Sequence, residues 1–130
     1  MDTIFSSASS PQKSAIKVIR ISGCETSKIP KIFSFKPTAP RVASLRKIYD
    51  KNHKIIDNAI IIYFPGPNTV TGEDIIELHI HGSTFIEKKI YNVLSKIKRF
   101  RIAARGEFTK RAFLNWILDL TQAEGLNDLI

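Results

Sequence analysis

The stretch that decides the fold runs from Pro65 to Ser83 and reads PGPNTVTGEDIIELHIHGS. It opens with proline, glycine and asparagine, which are typical of a tight loop. Apolar and polar side chains then alternate, which predicts a strand over 74–81 whose core face carries Ile76, Leu78 and Ile80. A Gly-Ser pair separates this strand from an apolar stripe with helical spacing. The stretch therefore predicts a loop, a strand and a helix in succession.

The rest of the chain supplies further strands and helices. Strands are predicted over 3–8, 15–22, 40–50, 54–64 and near 100–104. Helices are predicted after Gly82-Ser83, with Thr84 and Glu87 spaced as a capping box, and from about 107 and 119. A short helix over 25–34 should be interrupted by Pro30. These elements predict an α+β (mixed α/β) fold, with a mixed β-sheet and about three helices.

The second face of the predicted strand at 74–81 carries polar chemistry. Ile75, Glu77, His79 and His81 share this face. A metal site, a general base, a ligand pocket and a plain solvated face are all compatible with these residue types. No further cluster or nucleophile stands beside them in the sequence, and His53 belongs to a turn. Residue types alone favour a solvated face first and a ligand-lining face second.

Arg20 lies inside the otherwise apolar strand VIRIS. A guanidinium there needs an acidic partner or a ligand, because an unpaired buried charge is costly. Glu77 is a candidate partner. The alternative is a strand with one exposed edge and Arg20 in solvent.

Composition narrows the class of protein. The 130 residues are 43% hydrophobic, as in a globular domain, and their net charge of +8 favours an anionic partner such as nucleic acid or a phosphorylated ligand. One cysteine, Cys24, cannot form an internal disulfide, so we expect a reducing cytoplasmic location. We expect neither a signal peptide nor a membrane span. No Walker A, GxGxxG, CxxC or HExxH motif occurs.

Positive charge is concentrated late in the chain. Residues 84–113 hold nine Lys or Arg against two Glu, whereas 114–130 hold none against three acids. This pattern suits an anion on one side and a protein partner on the other. The alternative is that Lys88, Lys89, Lys96 and Lys98 are the solvated face of the helix and its end.

Four motifs carry a resemblance to a known family: VIRISG, FPGPNTVTGEDIIELHIHGS, RGEFTKRAFLN and LDLTQAEGLNDLI. In this order and at these separations they resemble the N-terminal domain of the TrmE/MnmE family of tRNA modification GTPases, over nearly the whole chain. The resemblance implies a domain over 1–118 that binds tetrahydrofolate and forms a homodimer. Residues 119–130 would begin the following helical domain.

The resemblance also implies a fold, a cofactor and partners. The fold would resemble the folate-binding domain of the glycine-cleavage T-protein group. The cofactor would be 5-formyl- or 5,10-methylene-tetrahydrofolate, whereas GTP, magnesium and potassium belong to a GTPase domain whose motif this chain lacks. With the flavin-dependent GidA/MnmG partner, the family modifies C5 of the wobble uridine of tRNA. We expect the chain alone to be non-catalytic.

Three positions correspond to the family's folate contacts. Arg20 and Glu77 match, and Glu77 could accept hydrogen bonds from a pterin amino group and ring N–H. The family's lysine falls on Ile117, which has neither charge nor donor. The family's glycine-rich loop near the N-terminus loses two glycines, at Gln12 and Ser14. Losing one charged contact costs roughly 1.5–3 kcal/mol.

Three other functions stay open at this point. The chain could be a basic module that docks tRNA and has lost folate binding, for which the basic band over 84–113 speaks. It could be a purely structural dimerisation piece, for which Ile117 speaks. It could also be a folate-dependent aminomethyl or formyl transferase acting alone, against which the lack of a nucleophile and of a second domain speaks.

Overall fold

The computed structural model describes residues 1–8 and 15–115 of the chain. Three sequence predictions lie outside these residues: the altered loop at 11–14, Ile117 and the helix from about 119. The described strands are β1 (Thr3–Ser7), β2 (Ile16–Ser22), β3 (Ser44–Tyr49), β4 (Ile55–Phe64), β5 (Ile75–His81) and β6 (Phe100–Ile102). The described α-helices are α1 (Ile29–Ile32), α2 (Thr84–Ser95) and α3 (Glu107–Leu114). The α+β prediction is confirmed.

The strands form one mixed sheet of six, in the order β3-β4-β5-β2-β1-β6. All neighbouring strands are antiparallel except β1 and β6, which are parallel. The central pair β2 and β5 is long and regular, with Arg20 directly opposite Glu77. The centre of the sheet therefore brings together two residues that lie far apart in the sequence.

One face of the sheet is covered by α2 and is the core of the domain. Ile76, Leu78 and Ile80 of β5 are at most 2% exposed, and they pack with Ile90 and Leu94 of α2. The predicted core face of β5 is therefore confirmed. Because side chains alternate along a strand, Arg20 and Glu77 lie on the other face.

Two details of the helix predictions are wrong. The N-cap of α2 is Ser83, whose Oγ accepts from the backbone N–H of Ile86, so the capping box expected at Thr84 and Glu87 does not form. Glu87 instead pairs with Lys17 at 3.6 Å. Pro30 does not interrupt α1 but lies in its first turn, where a missing N–H costs nothing.

Candidate ligand-binding site

The Arg20–Glu77 pair forms the base of the candidate site. Glu77 Oε2 accepts from Arg20 Nε at 3.2 Å and from Nη2 at 3.0 Å. The side chains are 26% and 14% exposed, so the pair is only partly accessible to water. Within the described part of the chain, Arg20 Nη1 has no acceptor within hydrogen-bond distance. The predicted partnership is confirmed, and one donor group of the guanidinium remains available.

His79 contacts the second oxygen of the Glu77 carboxylate. Its Nε2 lies 3.0 Å from Glu77 Oε1, so both carboxylate oxygens are engaged. His81 does not join them, because its Nδ1 lies 2.8 Å from Asp57 Oδ1 and its side chain is 71% exposed. Ile75 is buried. On the face expected to be solvated, side-chain exposure therefore rises along β5, from buried Ile75 to exposed His81.

A cleft of about 490 Å³ opens beside this pair. Its volume falls in the usual range for small-molecule sites of about 300–1,000 Å³. The cleft combines two arginines and one carboxylate with apolar and loop side chains. Its lining residues are Arg20, Glu77, Ile75, Phe64, Arg41, Asn68, Thr69 and Val70. Such a surface can hold a flat, partly apolar ligand that also carries hydrogen-bond donors and negative charge.

The loop between β4 and β5 forms one wall of the cleft and is held from inside. Gly66 N–H donates to Asp74 Oδ1 at 2.7 Å. An added Cβ at Gly66 would lie 3.1 Å from the Gly72 carbonyl oxygen, so the loop packs too closely there for a larger residue without adjustment. Gly72 has φ of +81°, in the region that favours glycine. The turn residues of this loop are therefore matched to its shape.

Two more contacts fasten the same loop from outside. Arg41 Nη2 donates to the Asn68 carbonyl at 2.6 Å, and its guanidinium lies 5.7 Å from the centre of the Phe64 ring. Asn115 Nδ2, at the end of α3, donates to the Thr71 and Arg111 carbonyls, both at 2.9 Å. Asn115 thus caps the end of α3 and at the same time contacts the loop. It links α3 to the loop that lines the cleft.

A buried ion pair fixes α3 against the end of the sheet. Arg111 is 2% exposed, and its Nη1 lies 3.0 Å from Glu73 Oε1. Its Nη2 donates to the Asp2 carbonyl at 2.7 Å. Ser22 Oγ donates to Glu73 Oε1 at 2.8 Å. Ser22 lies opposite Ile75, which lines the cleft, so this network adjoins the cleft at the end of β2.

The metal alternative gains no support from the described residues. In 1–8 and 15–115, no group of three or more His, Cys, Asp or Glu side chains is placed to hold a metal ion. His53 lies in a turn, as predicted, and stacks on Tyr49 with 5.0 Å between ring centres. Among the described helices, none is long and apolar enough to cross a membrane.

Comparison with known proteins decides the family. Residues 3–116 match the family model described as GTP-binding protein TrmE N-terminus. The chain belongs to this family. Two relatives named tRNA modification GTPase MnmE, from Wolbachia pipientis subsp. Culex pipiens and Anaplasma marginale, are 52% and 45% identical over 99% of the chain. A third, from Phenylobacterium zucineum, is 43% identical over 99% of the chain. In each case the chain spans 29% of the relative's length.

The TrmE N-terminal match covers both sides of the cleft. Arg20 and Glu77, which the sequence analysis selected, lie together on its wall. Arg41, Phe64 and Val70 also line the cleft and were not selected. The position of Phe64 just before the PGPN loop was a usable signal, whereas nothing local marks Arg41.

Proposed function

We propose that this TrmE N-terminal domain binds a reduced folate, 5-formyl- or 5,10-methylene-tetrahydrofolate, in the cleft beside Arg20 and Glu77. The observation that carries the proposal is the carboxylate of Glu77, held by Arg20 and His79 on the wall of a 490 Å³ cleft. In the whole protein the folate would supply a one-carbon unit for modifying C5 of the wobble uridine of tRNA, together with a flavin-dependent partner. The chain itself binds and positions the cofactor.

The residues present suit a reduced folate. A carboxylate can accept hydrogen bonds from the amino group and ring N–H of a pterin. Phe64, Val70 and Ile75 provide apolar surface for a ring. The available Nη1 of Arg20, beside Glu77, can donate to a carbonyl of the pterin, and Arg41 can donate to the carboxylates of the glutamate tail. The cleft therefore offers complementary groups to both ends of the molecule.

The proposal is tested by titrating the 130-residue chain with 5-formyltetrahydrofolate in a calorimeter. We expect binding by the wild type and a loss of at least tenfold in affinity for Glu77→Ala. Glu87→Ala is the matched control, because Glu87 is an ion-paired carboxylate on α2, away from the cleft. If neither the folded wild type nor Ile117→Lys gives a heat of binding, folate binding by this chain is refuted. Binding by Ile117→Lys alone would mean that the folate contact has been lost from this chain.

The sheet face on which the cleft opens also supports the proposed homodimer. Leu45, Ile60, His79 and Val18 lie opposite one another across four neighbouring strands. Leu45 is 60% and Ile60 41% exposed, and Ile16 on the same face is 56% exposed. Exposed apolar side chains in adjacent positions mark interaction surfaces. A second copy that covers this face would lie beside the cleft.

A further inference from the structure

A second cleft lies on the helix-covered side of the domain, between α2 and the turn that joins β3 to β4. Its volume is about 330 Å³. Lys89, Asn92 and Lys96 reach it from α2, and Lys51 and Asn52 from the turn. Partly buried apolar side chains of the core, Ile32, Val93 and Ile97, close its floor. We call this site the lysine cleft.

The lysine cleft carries an excess of positive charge. Three lysines line it, and none of them forms an ion pair within the described part of the chain. The acid in the lining, Asp50, already has partners, because its Oδ1 accepts from the backbone N–H groups of Asn52 and Lys54 at 2.9 and 3.0 Å. The Lys54 N–H lowers the pKa of Asp50, as do the Asn52 N–H and the charge of Lys89. Asp50 therefore stays ionised and closes the turn.

Two features separate this cleft from a plain solvated helix face. The lysines come from two different elements, α2 with its C-terminal end and the β3–β4 turn, and they line one concavity. In addition, Phe85 is 66% exposed, and Lys89 Nζ lies 4.9 Å from the centre of its ring. Lys54, Lys88 and Lys98 are also exposed and lie close by along the chain. An exposed aromatic ring among cations is typical of RNA-binding surfaces.

We propose that the lysine cleft binds the phosphate backbone of the tRNA on which the whole protein acts, with Phe85 beside it as a platform for an unpaired base. The choice of RNA rests on the proposed function. The site itself rests on Lys51, Lys89 and Lys96. The lysine cleft lies on the other side of the sheet from the cleft beside Arg20 and Glu77, so the domain can hold both ligands at once. The domain then contributes to substrate binding as well as to cofactor binding.

The test measures binding of fluorescently labelled, unmodified tRNA to the 130-residue chain by anisotropy, between 50 and 200 mM salt. We expect Lys51→Gln, Lys89→Gln and Lys96→Gln combined to weaken binding at least tenfold. The slope of log K against log salt concentration is negative, and its magnitude should decrease by about two to three. Each phosphate contact contributes close to one to that magnitude. Phe85→Ala should weaken binding to single-stranded RNA more than binding to duplex.

The matched control changes Lys36, Lys47 and Lys110 to Gln. These lysines are exposed, lie outside the cleft lining and alter the net charge by the same amount. Equal losses in the two triple variants would overturn the proposal, as would a wild type that does not bind tRNA at 50 mM salt. If wild type binds phosphatidylserine vesicles more tightly than tRNA, and the lysine-cleft variant loses that binding, the site recognises a membrane surface and the proposal is wrong. The triple variant of the lysine cleft should bind 5-formyltetrahydrofolate as tightly as wild type does. This measurement separates a failure of the tRNA proposal from a failure of the folate proposal.

Discussion

Arg20 and Glu77 occupy directly opposed positions on β2 and β5, and Arg20 Nη2 lies 3.0 Å from Glu77 Oε2. One carboxylate oxygen receives both Nε and Nη2, while the other oxygen is taken by His79. Because the pair is only partly exposed, its attraction is stronger than that of a surface pair yet open to exchange with a ligand. The pair orients the carboxylate without ligand present.

Replacing the guanidinium of Arg20 with a single ammonium should weaken ligand binding in the cleft without unfolding the domain. We expect Arg20→Lys to lower 5-formyltetrahydrofolate affinity about tenfold, because lysine cannot hold the carboxylate and donate to the ligand in fixed directions. Calorimetry measures the loss. Arg46→Lys, at a surface arginine that donates to the Lys36 carbonyl, serves as the control. Unchanged affinity in Arg20→Lys would remove Arg20 from the site.

Acid should destabilise the domain through Glu107. Hydrogen bonds from Arg101, at 2.6 and 2.7 Å, lower the pKa of Glu107 from 4.5 to about 2. A carboxyl whose folded pKa is lowered stabilises the fold above its ordinary pKa, and this stabilisation is lost as pH falls through the folded value. After allowance for solvent screening, we expect Glu107→Gln to cost about 1 kcal/mol at pH 7.

Urea unfolding of wild type and Glu107→Gln at several pH values tests this. The difference between the two should be constant above about pH 5 and should vanish towards pH 2. A difference that does not depend on pH would mean that Glu107 acts through packing alone.

Breaking the buried pair at the end of the sheet should be costly. Arg111→Met removes the cation but leaves the Glu73 carboxylate partly buried at 18% exposure, with the hydrogen bond from Ser22 Oγ still in place. Removing one partner of a buried pair typically costs about 3–5 kcal/mol. Arg105→Met, at an exposed arginine, should change stability by less than about 0.5 kcal/mol. Chemical denaturation compares the two, and equal costs would contradict a structural role for Arg111.

Gly23 should not tolerate a side chain. Its φ is +146°, and an added Cβ would lie 2.6 Å from Thr3 Oγ1 and 2.7 Å from Thr3 Cα. Because backbone cannot move aside as a flexible side chain can, we expect Gly23→Ala to cost more than about 2 kcal/mol. Ser27→Ala, at an exposed position in the turn that follows, is the control. Thermal unfolding that gives equal losses would show that the strand end relaxes.

A charge in the middle of the exposed apolar row should disrupt the proposed homodimer. Ile60→Glu places a carboxylate between Leu45 and His79. We expect sedimentation at micromolar concentration to shift from dimer to monomer, with far-ultraviolet circular dichroism unchanged. Phe85→Glu, on α2, should leave the dimer intact. If Phe85→Glu dissociates it and Ile60→Glu does not, the interface lies on the helix side.

Local sequence pattern predicted β5 well because its side chains alternate over a buried face from Ile76 to His81. The core face of β5 follows directly from its period of two, and the partnership of Arg20 with Glu77 follows from the cost of an unpaired guanidinium. The N-cap of α2 was misplaced by one residue, because Ser83 and Thr84 are both good caps and only backbone conformation separates them.

Other features depend on tertiary contacts that no local pattern encodes. The parallel pairing of β1 with β6 joins residues near positions 3 and 100. The basic band over 84–113 was predicted as one surface, yet Arg111 is buried against Glu73, and Arg101 pairs with Glu107 and Asp2. The other seven Lys and Arg residues of the band are exposed or partly exposed. Ile117 lies outside the described residues, so the prediction made there stays a prediction.

The many ties on the β4–β5 loop have a kinetic consequence. Arg41, Asp74 and Asn115 each hold it by a hydrogen bond before anything enters the cleft. The entropic cost of ordering the loop therefore arises during folding and not during ligand binding. Association should then follow a single exponential whose rate rises linearly with ligand concentration, without the plateau that a closing lid imposes.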